Sequence, residues 1–147
     1  MREGSEATGA NSHSDFYFIF PLLITLKLKQ EIMFDFQNLE VYKKAKSFHK
    51  SVRALLKAMK LENYINDQLG RASFSIALNI AEGSAKFSKP DRRNYFTTAR
   101  GSVFECVAIL DMLHDDSRIN KEAFEQLLLN ADELSRILYA MIKNLEK

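Results

Sequence analysis

The 147-residue chain contains no Trp, one Cys, two Pro and five Gly. A single Cys excludes a disulfide framework and a thiolate metal cage, and suits a reducing, cytoplasmic compartment. So few Gly and Pro leave little material for the hairpin turns of a β-sandwich or barrel. An excess of one charge is missing too. Twenty-one Lys and Arg face nineteen Asp and Glu, a net charge of +2, so nothing global marks a nucleic-acid binder. The chain also lacks the run of about 20 apolar residues that a membrane-spanning helix requires. At 46% hydrophobic and 27% charged residues, the composition is that of one globular domain.

The first 32 residues read differently from the rest. Residues 1–15 are polar and small, without periodicity. Phe16 to Leu26 is then apolar except for Thr25, and Lys27 and Lys29 end the run too early for a membrane span. As a secretory signal it fits poorly, because Glu3, Glu6 and Asp15 precede it where a basic segment belongs, and no small-residue cleavage site follows. Two readings stand: a strand or hydrophobic arm added to an oligomer, or an upstream extension of the reading frame with the true start at Met33. An exposed Phe/Ile/Leu run would be an aggregation liability. The expected division is an extension over 1–32, outside the fold, and a domain over 33–147.

Within that domain the apolar residues recur at three- and four-residue spacing, the helical period. A first helix is expected from Leu39 to Lys60, with Val41, Tyr42, Ala45, Phe48, Val52, Leu55, Leu56 and Met59 inward. A second over 64–82 places Leu69, Ala72, Ile76, Ile80 and Gly83 on one face, with Gly83 as a left-handed C-cap. Its small residues (Ala72, Ser73, Ser75, Ala77, Ala81) allow a neighbouring backbone to approach closely. Ser88, Pro90 and Asp91 form a helix-start signal. The third helix then runs to about His114 through Phe96, Ala99, Val103, Cys106, Ile109, Leu110 and Leu113. Asn120 caps a fourth, with Phe124, Leu127, Leu128, Ala131, Leu134, Leu138, Met141, Ile142 and Leu145 inward. Four long helices with short connections predict an all-α, antiparallel up-down-up-down four-helix bundle.

The stretch from Gln68 to Gly83 (QLGRASFSIALNIAEG), followed by Ala99-Arg100-Gly101-Ser102 and Glu105, resembles the small four-helix-bundle proteins encoded in bacterial 23S rRNA intervening sequences. Their pattern reads roughly Q-L-x-R-A-x-x-S-I-x-x-N-I-A-E-G, then A-R-G-S-x-x-E. The opening from Phe34 to Tyr42 also looks like the family's usual start, in favour of Met33. Ala77 departs from the pattern, which often has Pro there, and implies a straighter helix. The resemblance implies a four-helix bundle that assembles as a homo-oligomer, typically a pentameric ring, and implies no known reaction. The bundle is also similar to the accessory protein of diversity-generating retroelements, where a basic pentamer engages a reverse transcriptase and nucleic acid. At the level of fold that analogy raises nucleic-acid binding only modestly.

The sharpest feature of spacing lies on the first helix. Lys43, Lys46, Lys50, Arg53, Lys57 and Lys60 recur at alternating steps of three and four, a single cationic stripe. Each neighbouring like-charge pair costs about 0.2–0.5 kcal/mol. Three readings compete: a solvated face, an acidic partner surface such as Glu122, Glu125, Asp132 and Glu133 of the fourth helix in the same or a neighbouring subunit, or contacts to phosphates. No aromatics interleave the stripe, so base stacking is not indicated. Lys86, Lys89, Arg92 and Arg93 form a second basic cluster before and within the start of the third helix, near Phe87 and Tyr95. It reads either as an exposed basic loop or as a phosphate site.

The motif residues Arg71, Asn79, Glu82, Arg100 and Glu105 are expected to form a structural polar network, since buried charges must be paired and such a layer can fix helix register or oligomeric state. Carboxylates among arginines have lowered pKa values, unsuited to general acid catalysis. Cys106 falls on an apolar face as a core residue. Neither a Gly-rich phosphate loop nor a nucleophile elbow is present. Asp111, His114, Asp115 and Asp116 lack the Glu-x-x-His pattern of di-iron bundles, so no metal or cofactor is expected. The sequence therefore predicts a non-enzymatic, oligomeric bundle. RNA or another nucleic acid is its expected partner, with a protein-interaction scaffold as the alternative.

Overall fold

A computed structural model describes Pro21 and residues 34–147 of the chain. The expectations for the extension otherwise lie outside the described residues. Phe34–Lys147 is one compact unit. It opens with a 3₁₀ turn, Asp35–Asn38, whose start is closed by the Phe34 N–H donating to Gln37 Oε1 at 2.9 Å. Four helices follow: α1 (Glu40–Ala58), α2 (Asn63–Ser84), α3 (Lys89–Asp115) and α4 (Lys121–Glu146). Among the described residues there is no strand.

The helix starts follow the side chains that cap them. Ser88 Oγ accepts the Asp91 N–H at 3.2 Å and donates to Asp91 Oδ2 at 2.6 Å, so Asp91 engages the capping hydroxyl rather than the Ser88 backbone. Asn120 Oδ1 accepts the Ala123 N–H at 2.8 Å. Each satisfies an amide that the helix leaves without an internal partner. Between α3 and α4 the chain turns at Ser117, which has φ 56°. The Arg118 N–H then reaches back to the Leu113 carbonyl at 2.8 Å, and its guanidinium donates to the Lys60 carbonyl at 2.7 Å. That bond joins the α3–α4 connection to the α1–α2 connection.

Every helix contacts its neighbours in sequence, α1 also contacts α4, and neither diagonal pair comes close. Residues that meet across consecutive helices ascend in one as they descend in the other. His49 and Leu56 face Ser73 and Gly70; Ser75 and Gly83 face Ser102 and Phe96; Arg100 and His114 face Ser135 and Phe124. This is the order of antiparallel neighbours. Enclosed between them, Phe48, Leu69, Ile76, Ile80, Leu110, Leu134 and Leu138 are fully buried. The inward faces inferred from periodicity hold, except that Leu128 is exposed.

Gly83 does not serve as a left-handed C-cap. No described glycine has positive φ, and α2 continues through Ser84, whose hydroxyl donates to the Ile80 carbonyl at 2.8 Å. The reason for glycine is packing. A Cβ at Gly83 would stand 2.7 Å from Phe96 Cε1 and 2.9 Å from Tyr95 Cβ, so only a bare backbone lets α3 lie this close. Gly101, exposed within α3, is the converse case, because a Cβ there would meet nothing within 4 Å. Replacing a mid-helix Gly by Ala gains about 1 kcal/mol of helix propensity, whereas overpacking costs about 1–3 kcal/mol. Gly83→Ala is therefore expected to lower the urea midpoint, and Gly101→Ala to raise it.

Candidate nucleic-acid interface

The inward residues of α1, Val41, Ala45, Phe48 and Val52, fix which way its cations point. Lys43, Lys46, Lys50, Arg53 and Lys57 are exposed on α1, and Lys60, expected in its last turn, is exposed just past the helix end at Ala58, where Met59 is already extended. Lys43 pairs with Glu40 of its own first turn at 2.8 Å, and the Lys46 ammonium lies 5.2 Å from the Tyr42 ring centre. Among the described residues the other five stripe cations form no ion pair. Of the acidic residues of α4, only Glu133 reaches α1, where it meets Lys44 beside the stripe at 2.9 Å. Glu125 pairs with Lys121 and Asp132 with Arg136, both within α4.

The second basic cluster divides. Lys89 and Arg93 are exposed, and Phe87 stands fully in solvent between them and Lys86. The Lys86 ammonium lies over the Tyr95 ring, 4.8 Å from its centre. Arg92 turns inward. Its Nη2 donates to the Lys86 carbonyl at 2.9 Å, its Nε is shielded without a partner, and it lines a cleft with Phe36, Phe96 and Met141.

The five motif polars do not join one another within the chain. Asn79 donates to both the carbonyl and the hydroxyl of Ser75 at 2.9 Å, and Ser75 meets Ser102 of α3 at 3.0 Å. Ser102 in turn donates to the Thr98 carbonyl at 3.2 Å. Farther along the same helix pair, the Gln68 amide donates to the Glu105 carboxylate. Arg100 faces α4, donating to Ser135 Oγ at 3.2 Å and lying over the rings of Phe104 and Tyr139. Arg71 and Glu82 are exposed on α2, Arg71 on the side toward His49 and Arg53 of α1. The partners Gln68, Ser102 and Ser135 were not part of the polar network expected from sequence, although Gln68 and Ser102 belong to the motif, because nothing local distinguishes a bridging Ser or Gln from a solvated one.

His49, next to the stripe residue Lys50, ties α1 to α2. Its Nδ1 is 2.8 Å from the hydroxyl of Ser73, which is wholly buried and donates to the Gly70 carbonyl at 3.0 Å. Its ring tilts against Phe74 with centres 5.3 Å apart. Both lie on a cleft of about 340 Å³ between α1 and α2. Burial, and secondarily the Arg53 guanidinium, hold the imidazole below its ordinary pKa. Burial, helped by the neighbouring Glu105 carboxylate, pushes the Cys106 thiol up to about 12, which keeps it protonated and non-nucleophilic. The His114 ring stacks on Phe124 at 4.3 Å, and among the described residues no three His, Cys, Asp or Glu side chains are grouped to hold a metal ion. Nor is any helix among them long and apolar enough to cross a membrane.

The model of the 23S rRNA-intervening sequence protein family matches residues 37–140, which include α2 and α3 with all the motif residues. The chain belongs to that family. A solved structure from the S23 ribosomal protein family of Bacteroides thetaiotaomicron, described as a protein with unknown function, is similar. It is 25% identical with a TM-score of 0.67, over 70% of this chain and 98% of that one. No curated protein matches the sequence.

For this member of the intervening-sequence family, the depressed His49 pKa carries a sign for stability. Unfolding restores the ordinary affinity for a proton, so below the unfolded value of about 6.5 the unfolded chain binds more protons at this site. Stability from His49 is thus present above that value and lost as pH falls through the depressed folded one. Denaturant melts of the native chain and of His49→Gln, compared between pH 7 and pH 5, are expected to show a smaller loss in the variant.

Proposed function

We propose that the protein is a non-enzymatic oligomeric bundle that binds RNA, through phosphate contacts made by the basic stripe of α1. The observation that carries this reading is the disposition of that stripe: five exposed cations along α1 and Lys60 just past its end, all but Lys43 without an ion pair among the described residues. An isolated surface charge needs no explanation, but a row at helical spacing accepts a repulsive cost that a polyanion would reverse. The family's name refers to 23S rRNA, which makes RNA the first polyanion to test. Assembly into a ring, as the resemblance of the motif residues implies, would repeat the stripe and multiply its field.

Lys86, Lys89 and Arg93 extend the same cationic character near the start of α3, and Arg92 supports their loop through the Lys86 carbonyl. Glu105 and Arg100 tie α3 to α2 and α4, and Asn79 steadies Ser75 for its bond to Ser102. Arg71 and Glu82, both exposed, are left to partners outside the chain. Binding of this kind is weakly sequence-specific, since phosphates carry no sequence information, and it suits a cytoplasmic protein.

Six phosphate contacts imply a slope of log K against log salt of about −4 to −5. The triple variant Lys46→Glu/Lys50→Glu/Arg53→Glu is expected to lose RNA affinity and most of that slope while keeping its oligomeric state. Fluorescence anisotropy across a salt series, with sedimentation velocity, measures both. Dissociation of the variant would assign the stripe to a subunit interface. Absence of RNA binding by the native protein at low salt would leave the protein-interaction scaffold as the function.

A further inference from the structure

The cleft between α1 and α2 brings together groups that neither helix carries alone. From α1 come His49 and Arg53, one turn apart; from α2 come Asn66, Asp67, Arg71 and Phe74. Its volume of about 340 Å³ falls at the lower end of the range of small-ligand sites, about 300–1,000 Å³. On its own helix the stripe meets the ring of Tyr42 under Lys46, and the next helix supplies another aromatic. Phe74 is half exposed and rests against the His49 ring, and the Ser73 hydroxyl anchors that ring from the core side. Two adjoining rings with guanidiniums on the same cleft are the elements of a stacking platform with a phosphate clamp.

Two further observations point to an occupant. Asn66 Oδ1 is shielded from solvent and has no hydrogen-bond partner, although its amide nitrogen donates to the Leu61 carbonyl at 3.3 Å. An unmet acceptor of this kind is costly in the free chain, and a turn of the Asn66 side chain toward the cleft that it lines would offer it to an N–H donor such as a nucleobase edge carries. Gly70 also lies in the cleft wall, in mid-helix. A Cβ there would meet only Leu56 Cδ1 at an ordinary 3.7 Å. Packing does not demand glycine at this position, unlike Gly83, and the missing side chain leaves the wall open.

We infer that this cleft binds one unpaired nucleotide of RNA, with the base stacked on Phe74 beside the tilted His49 ring and the adjoining phosphate held by Arg53 and Arg71. The inference rests on the proposed RNA binding and deepens it. The stripe holds backbone of any form, whereas this site takes only a base that is free to leave its neighbours, and so selects single strands over duplex. Asn66 and Asp67 are placed to meet the base edge.

The test compares the full chain with Phe74→Leu, Phe74→Tyr and Arg71→Gln, titrated with a labelled unstructured RNA oligonucleotide and with the same strand paired to its complement. The native protein is expected to bind the single strand about tenfold more tightly than the duplex, the order of one base–aromatic stack. Phe74→Leu should abolish that preference without altering duplex affinity, Phe74→Tyr should keep it, and Arg71→Gln should weaken the single strand alone. The His49 ring resonances report occupancy directly. A shift with uridine monophosphate as well as with the oligonucleotide assigns the site to free nucleotides too; a shift with the oligonucleotide alone assigns it to a strand. No shift with either overturns the inference. Equal affinity of Phe74→Leu and the native chain for the single strand also overturns it while leaving the stripe intact. Loss of assembly in Phe74→Leu would assign the ring to a subunit contact instead. If the native chain binds neither RNA, the stripe reading fails and this one with it.

Discussion

The contact between α2 and α3 is the constraint on which the rest of the bundle depends. These two helices share the most extensive interface of the fold, and its closeness is set at one end by the absence of a side chain at Gly83. There the backbone of α2 lies against the ring of Phe96 and the Cβ of Tyr95. Such proximity is unforgiving of polar groups without partners, so the seam is threaded with short hydroxyls and amides that satisfy one another: Asn79 with Ser75, Ser75 with Ser102, Gln68 with Glu105. Close backbones permit those bonds, and the two that cross between the helices in turn fix the register, since a slip by one residue would separate Ser75 from Ser102 and Gln68 from Glu105. The outer helices α1 and α4 pack onto this pair with larger aliphatic side chains, in the manner expected when a small-residue seam occupies one side of a bundle.

Much of this was legible in the sequence. Helical periodicity placed all four helices within about two residues of their ends, because apolar spacing reports burial and burial is what selects the helix faces. Capping at Ser88 and Asn120 was legible because it is local chemistry. Gly83 was misread for a physical reason: a glycine near the end of a periodic run fits both a left-handed cap and a close interhelical approach, and only the neighbour's position separates the two. The left-handed turn occurs elsewhere, at Ser117, a residue type that carries no strong signal for it. Leu128 was misread because its spacing fits the apolar face of α4, whose edge it occupies.

The polar residues were harder to read. The motif suggested one polar network, but a side chain's partner depends on the next helix's distance and rotation. Thus Arg100 faces Ser135 of α4, and Glu105 meets a glutamine rather than an arginine. The same limit applied to aromatics. Reading α1 alone gave a stripe without rings, yet Phe74 reaches its flank from α2. Sites assembled from two helices are legible only once both are placed.

Cys106 has a consequence for how copies of this chain can be joined. It is the sole cysteine of the sequence, and it lies fully enclosed between α3 and its neighbours, with its thiol held in the protonated form. Two folded copies cannot bring these sulfurs to bonding distance, so association of the folded chain by this residue is closed off and must proceed through surfaces that separate on dilution. A disulfide-linked dimer would therefore record chains that had opened their cores.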